Sequence, residues 1–439
     1  MRPHRVIIFS YLCAIIAGTV LLSLPWSTIN GRIDLIDALF TATSAICVTG
    51  LVVVDTGSHF TPFGQLIILF LIQLGGLGIM TFSTAFFLFM GRRISFKERI
   101  VMQETFAGYP RRDLISLVKS IIIFTFLIES LGSLLLYLSW WKSFGIGKGL
   151  WVSVFHAVSA FCNAGFSLFP NNLEGFRKDL FVNITVSSLI ITGGIGFLVL
   201  HELKEKVIFQ RVNEPLSLHT KITLSVTVIL IAIGTLLILF LENEHILKGM
   251  EFREKLICSF FQSVTARTAG FNTLPISKLT NATLFVLIFL MFIGASPGST
   301  GGGIKTTTAG VLLFLIRAHL KGIRDVYAFN RTISQEAVVK ALSVFLASFI
   351  LINIVFPLVL IAEGGGNENF IKILFECISA FGTVGLSTGI TPELTWVGKS
   401  LIILIMYTGR VGPLTIVLIS GASGSMKKYR FSEEKVIVG

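Results

Sequence analysis

Long apolar runs separated by short polar stretches make up most of this chain. Runs at about 6–24, 65–90, 116–139, 179–200, 222–241, 281–316, 340–361 and 396–423 predict eight membrane-spanning helices, because a hydrocarbon core takes about 20 apolar residues to cross. Four amphipathic segments, 35–46, 150–161, 252–266 and 369–381, lie between pairs of runs and are too short to cross. A helix of about 12 residues rises about 18 Å, roughly half a bilayer. Each therefore predicts a helix that dips into the membrane and returns on the same side. The first run, Val6 to Leu22, reads as a retained span, since no small-residue cleavage site follows it.

The short helices share an ending. SAICVTGLVV, SAFCNAGFSL, TARTAGFNTL and SAFGTVGLST place Gly50, Gly165, Gly270 and Gly385 at spacings of 115, 105 and 115 residues. A Phe stands ten positions before each glycine, at Phe40, Phe155, Phe260 and Phe375. This is a fourfold internal repeat of helix, pore helix, loop and helix. The repeats divide as 1–92, 93–206, 207–320 and 321–425, with a tail at 426–439. The predicted architecture is an all-α membrane protein with its four repeats around one central pore.

Composition agrees, with 53% hydrophobic and only 14% charged residues, against about 25% charged in soluble chains. The net charge of +12 would suit a nucleic-acid partner, but its distribution has a simpler cause. With eight crossings both termini share one side, and 23 of the 36 Lys and Arg fall there. The positive-inside rule puts that side, and both termini, in the cytoplasm. No nucleic acid is needed. Five cysteines form no C-x-x-C pair and read as small buried hydrophobes, and seven histidines show no metal-ligand spacing.

Non-helical backbone at membrane depth is tolerated only where protein or a water-filled path supplies partners. Four such segments meeting on an axis can replace the hydration shell of a cation with backbone carbonyls. The candidate ring comprises Val48, Thr49 and Gly50; Asn163, Ala164 and Gly165; Thr268, Ala269 and Gly270; and Thr383, Val384 and Gly385. Its small or β-branched residues leave room at the axis, its glycines allow unusual φ/ψ, and the negative ends of the pore-helix dipoles favour a cation. Helix-packing or C-cap glycine is the competing reading of any one of them. Four in register with a Phe favour the ring.

The sixth run is interrupted at 294–303, GASPGSTGGG. Gly and Pro cost about 1 and 3 kcal/mol each inside a helix, so the span must break. The candidate gate is this loop, Gly294, Ala295, Ser296, Pro297, Gly298, Ser299, Thr300, Gly301, Gly302 and Gly303, together with Lys305 and Arg410. A packing kink that does not move is the alternative. The GSTGGGIKT stretch is no phosphate loop, because Ile304 separates Gly303 from Lys305. Arg410 sits mid-span, where a charge costs about 2.5–3.5 kcal/mol, so it should face protein or an aqueous path. Lys305 either joins the gate or snorkels to the cytoplasmic edge. Arg267 should turn behind the ring toward carbonyls or an acidic neighbour. Asp55, Asn171, Asn172 and Glu393 lie beyond the glycines on the outer side, as cation-concentrating groups or plain loop residues. Glu129 and Glu376 are carboxylates in apolar context whose roles stay open.

VTGLVVVDTG (48–57), IQLGGLGIMTF (72–82), NAGFSL (163–168), TGGIGF (192–197), RTAGFN (267–272), GIKTTT (303–308), FGTVGLSTG (381–389), TPEL (391–394) and GRVGPLT (409–415) together resemble the Trk/Ktr/HKT superfamily of K+ transporters. The likeness spans essentially the whole chain and is nearest to the membrane subunit of bacterial Ktr systems. It implies K+ uptake across the cell membrane through a four-glycine filter above an intramembrane loop. It also implies a membrane homodimer and a cytosolic ring of nucleotide-binding, RCK-type regulatory subunits. Some members depend on Na+, and passive flux against Na+-coupled symport stays open. Two other classes fit poorly. Transporters of organic solutes usually show two inverted halves with broken helices in both, and an ATP-using enzyme would need a Walker pair and a soluble domain.

Overall fold

The computed structural model describes residues 3–79, 81–82, 114–208, 215–366 and 369–412. The inner ends expected for the second and eighth spans, most of the basic segment 91–115, and the tail 426–439 lie outside them. Each repeat opens with a long apolar helix: α1 (Pro3–Leu22), α4 (Leu114–Phe144), α8 (Leu218–Glu242) and α12 (Gln335–Ala362), numbered in chain order. These four have the length and apolarity of full crossings. Large side chains such as Phe126, Leu131 and Leu138 on α4 face outward, as they should when the surrounding solvent is lipid.

The pore helices are α2 (Leu35–Cys47), α5 (Ile146–Phe161), α9 (Phe252–Thr265) and α13 (Phe370–Gly382). The second helices of repeats 1, 2 and 4 are α3 (Pro62–Leu77), α6 (Leu180–Ile195) and α14 (Trp396–Val411). In repeat 3 the second helix is in two pieces, α10 (Asn281–Phe292) and α11 (Thr306–Leu320). All four begin the same way. Thr61, Asp179, Thr280 and Thr395 each accept a hydrogen bond from the backbone N–H three residues on, satisfying a donor the helix cannot pair itself. One hairpin, Tyr327–Ala328 with Arg331–Thr332, is the only strand pair among the described residues.

Closure follows from packing. Each second helix lies against the pore helix of the next repeat: α3 on α5, α6 on α9, α10 on α13, and α14 back on α2. Two ion pairs reinforce the seams. Lys399 meets Asp37 at 2.7 Å between repeats 4 and 1, and Arg177 meets Glu254 at 3.3 Å between repeats 2 and 3.

The structure departs from the sequence reading at the second helices. Spans 65–90, 179–200 and 396–423 are not continuous: α3 stops at Gly78, α14 stops at Gly412, and α6 turns through 98° at Gly196 into α7 (Phe197–Leu203). Repeat 3 is thus not alone in having a broken second helix among the described residues. The cause in the other three is close approach of helix to helix. Gly75, Gly193 and Gly409 lie directly against the carbonyls of Ile46, Phe161 and Phe381 at the ends of the pore helices, with no room for a Cβ. Three residues on, Gly78, Gly196 and Gly412 take φ of 80°, 103° and 97° and turn the chain away. Cys13 also departs from expectation, being exposed on the outer face of α1, whereas Cys47, Cys162, Cys258 and Cys377 are buried.

Gly193→Ala should lower stability by about 1–3 kcal/mol through overpacking. Gly147→Ala, at a helical glycine with nothing within 4 Å, should raise it by about 0.5–1 kcal/mol. Thermal unfolding in detergent reads both, and the same sign for the two would contradict the packing account.

Candidate functional site

The pore helices end on an unusual turn. Val48, Asn163, Thr268 and Thr383, two residues before each glycine, take φ of 57°, 59°, 77° and 50°. The left-handed region is costly for residues with a Cβ, about 1–3 kcal/mol each, and three of these four are β-branched. The strain holds because the next N–H is tied back to the helix end. Thr49 donates to the Ser44 carbonyl (2.8 Å), Ala164 to Ser159 (2.7 Å), Ala269 to Thr265 (3.0 Å) and Val384 to Ser379 (2.8 Å). The N–H groups of Gly50 and Gly385 donate to the hydroxyls of Ser44 and Ser379, each at 3.1 Å.

The structure brings all twelve candidate ring residues together. The glycines have φ of 92°, 69°, 77° and 90°, and each lies against a carbonyl of the next repeat. A Cβ on Gly50 would lie under 3.0 Å from Ala164 O, one on Gly165 from Ala269 O, one on Gly270 from Val384 O, and one on Gly385 from Thr49 O. The order 1-2-3-4-1 makes one closed ring. Every side chain in it is buried. Asn163, with its amide oriented to donate to Ala160 O and Ile190 O, accepts from the Thr268 hydroxyl at 3.1 Å and links two segments.

Outside the ring is a cavity of about 300 Å³, with the four glycines at its floor and Asp55, Glu174, Asn171, Asn172 and Asn272 in its wall. Glu393, expected beside them, does not line it, whereas Glu174 and Asn272 went unremarked in the sequence. Burial holds the Glu174 carboxyl above its ordinary pKa, against the opposing pull of Asn272, Lys278 and Arg177. Asn172 donates to Gly270 O at 3.4 Å. Arg267 turns away from the axis. Its partner is the Thr227 hydroxyl on α8, at 3.2 Å, rather than a carbonyl or a carboxylate.

Inside the ring lies the loop between α10 and α11. Its ends are joined by a bridge of Ile293 with Ile304 and by Gly294 N–H donating to Ile304 O at 2.8 Å. The broken end of α6 holds its middle: Ser296 and Thr300 donate to Gly194 O and Gly193 O at 3.0 and 3.3 Å, and Phe197 donates to Gly298 O at 2.8 Å. Gly302 N–H donates to the Thr383 hydroxyl at 2.9 Å, and Gly301 sits against the Thr268 hydroxyl. Pro297 O lies beside Gly196, Ser299 donates its hydroxyl to Ser296 O at 2.6 Å, and Gly303 packs on Gly382. Ala295 is fully buried.

Arg410 donates to Thr300 O and to Gly75 O, joining the loop to repeat 1. Lys305 does not snorkel but turns inward and donates to Gly301 O at 2.8 Å. The loop thus contacts repeats 2, 3 and 4 below the ring, and Arg410 ties it to repeat 1.

Comparison with known proteins gives the molecule its place. The family model described as TrkH, cation transport protein, matches residues 13–429. The chain is 43% identical over 440 residues to "Ktr system potassium uptake protein B" of Bacillus subtilis, covering 100% of this chain and 97% of that one. It is 40% identical over 445 residues to "Potassium/sodium uptake protein NtpJ" of Enterococcus hirae, covering 100% and 98%. The solved structure of the potassium transporter TrkH from Vibrio parahaemolyticus shares the fold, with a TM-score of 0.72, 18% identity, and coverage of 94% of this chain and 84% of that one. On these matches the chain is a transport protein rather than an enzyme, and it belongs to the TrkH family of cation transporters.

Proposed function

We propose that this chain is the pore-forming membrane subunit of a K+ uptake system, in which Gly50, Gly165, Gly270, Gly385 and the two residues before each form the selectivity filter. The observation that carries this is the closed ring of carbonyls against glycines. The N–H of the residue before each glycine is engaged with its own pore helix, while the carbonyls of those residues lie at the ring and are groups an ion can use. Four such carbonyls in one ring suit a cation that has shed its water. A glycine at all four positions leaves the widest ring of backbone. The names of the relatives in Bacillus subtilis and Enterococcus hirae, both uptake proteins for potassium, support K+ as the cargo. No resident cofactor is proposed.

The path runs from the acidic outer cavity, through the ring, to the loop. The basic inner segments support a cytoplasmic location for the loop side of the cell membrane and for both termini. Inward flux is then driven by the membrane potential, worth about 2.3 kcal/mol per charge per 100 mV. Residues 294–303 with Lys305 and Arg410 form the gate: Arg410 holds the loop shut across the path and places a fixed positive charge in it. The Enterococcus hirae relative carries sodium as well as potassium in its name, which supports a second reading in which Na+ is co-transported or permeates. Regulation belongs to other chains, namely a cytosolic ring of nucleotide-binding RCK-type subunits, with the membrane chain acting as a homodimer in lipid. The naming of the Bacillus subtilis relative as part of a system favours a partner of this kind.

Flux of K+ against Na+ into liposomes tests the filter. Wild type should prefer K+, and Gly270→Ser, forced into φ of +77° against Val384 O, should lose most of that preference. An unchanged ratio in folded protein would remove the ring as filter. For the gate, Arg410→Gln and deletion of Gly301–Gly303 should each raise flux, by roughly tenfold or more if a charge-assisted tie is lost, at an unaltered K+/Na+ ratio. Unchanged flux would leave the loop a structural kink.

A further inference from the structure

Nine residues before the filter glycines stand Thr41, His156, Phe261 and Glu376. Two of these are titratable groups buried completely or nearly so, His156 at 0% and Glu376 at 1% exposure, and the ion path described above uses neither. They occupy opposite corners, since the ring order is 1-2-3-4.

The two corners are built alike. In repeat 4, Glu376 accepts from the Ser387 hydroxyl (2.6 Å) and the Thr388 N–H (2.9 Å), two and three residues past the glycine, and also from the Thr391 hydroxyl (2.9 Å). In repeat 2, His156 Nδ1 lies 2.8 Å from Val152 O, an acceptor, so Nδ1 carries the proton and Nε2 accepts. Nε2 then takes the Ser167 hydroxyl (3.0 Å) and the Leu168 N–H (3.4 Å), again two and three past the glycine. In both corners the next N–H but one, Phe169 or Gly389, donates to the serine oxygen (3.0 and 2.9 Å). Both serines line the outer cavity. Each gives its only proton to the group behind it, which leaves its oxygen an acceptor alone on the side of a cation.

The other diagonal has no such tie. Thr41 spends its hydroxyl on Asp37 O of its own helix at 2.8 Å. Phe261 has no polar group, and Asn272 of that corner is held from repeat 2 by Glu174 at 2.9 Å.

We propose that His156 and Glu376 are a matched pair of positioning residues that brace the outer ends of filter segments 2 and 4 across one diagonal, fixing the hydroxyl oxygens of Ser167 and Ser387 toward the ion. The proposal rests on the filter reading above. Selectivity depends on how rigidly the ligands are held, so losing one brace relaxes the ring without closing it.

The test is K+/Na+ flux in liposomes for Glu376→Leu and His156→Phe, the latter keeping the ring stack on Phe169 at 4.6 Å. Loss of one buried hydrogen bond should lower the K+/Na+ ratio by about tenfold and raise half-saturating K+, while maximal flux stays within about twofold. Thr41→Val, on the other diagonal, should leave the ratio unchanged. Should Glu376→Leu fail to fold, Ser387→Ala cuts the same tie from the other end and should shift the ratio in the same direction. Unaltered ratios in the His156 and Glu376 variants, with Gly270→Ser still shifting it, would overturn the brace and leave the filter. An equal shift in Thr41→Val would overturn the diagonal. If Gly270→Ser leaves the ratio unchanged too, the filter reading fails and the brace with it.

Discussion

A peptide group inside a bilayer has no water to bond, so every N–H and C=O that leaves a helix at that depth must find a partner in the protein or in what passes through it. Four segments of this chain leave a helix there. Their amides fold back onto the pore-helix ends, from Thr49 to Ser44 and from Val384 to Ser379, and the turn that makes this possible puts Val48, Asn163, Thr268 and Thr383 in the left-handed region. The carbonyls lie beside the neighbouring glycines. A dehydrated cation is the partner such oxygens suit, and the strain at four equivalent positions is what an ion site held open by its surroundings requires.

The same constraint explains the second helices. In repeats 1, 2 and 4 the second helix comes so close to a pore-helix end that only glycine fits, and it then stops or turns, exposing carbonyls at membrane depth. Those of Gly193 and Gly194 are taken by the loop of repeat 3, and that of Gly75 by Arg410. The gate candidate is therefore bound to the broken ends of its neighbours. Opening it means uncovering carbonyls along the ion's own route, where water or the ion can take over the bonds.

Much of this was legible in the chain. Hydrophobic run length marks the long helices, and the register of Phe40, Phe155, Phe260 and Phe375 with four glycines marks the repeat. The Gly-rich stretch 294–303 declares its break by composition alone. The left-handed residues were not legible, because Val, Asn and Thr share no chemistry that signals positive φ; only the backbone ties to the helix end impose it. The breaks at Gly78, Gly196 and Gly412 had a faint signal in GGLG and GGIG, but glycine is common in membrane helices and its meaning here depends on a pore helix from elsewhere in the sequence. Lys305 looked like an edge residue by position and turned inward because Gly301 O lies within reach. Glu174 and Asn272 meet at the cavity only through the packing of repeat 2 on repeat 3.

Anomalous diffraction from crystals grown in Rb+ or Tl+ tests the central claim most directly, since these ions stand in for K+ and locate themselves. A peak on the axis of the ring, shared among carbonyls of the segments ending in Gly50, Gly165, Gly270 and Gly385, is the predicted result. Ordered density for the ring with no peak inside it, and a peak elsewhere held by side chains, would contradict the account.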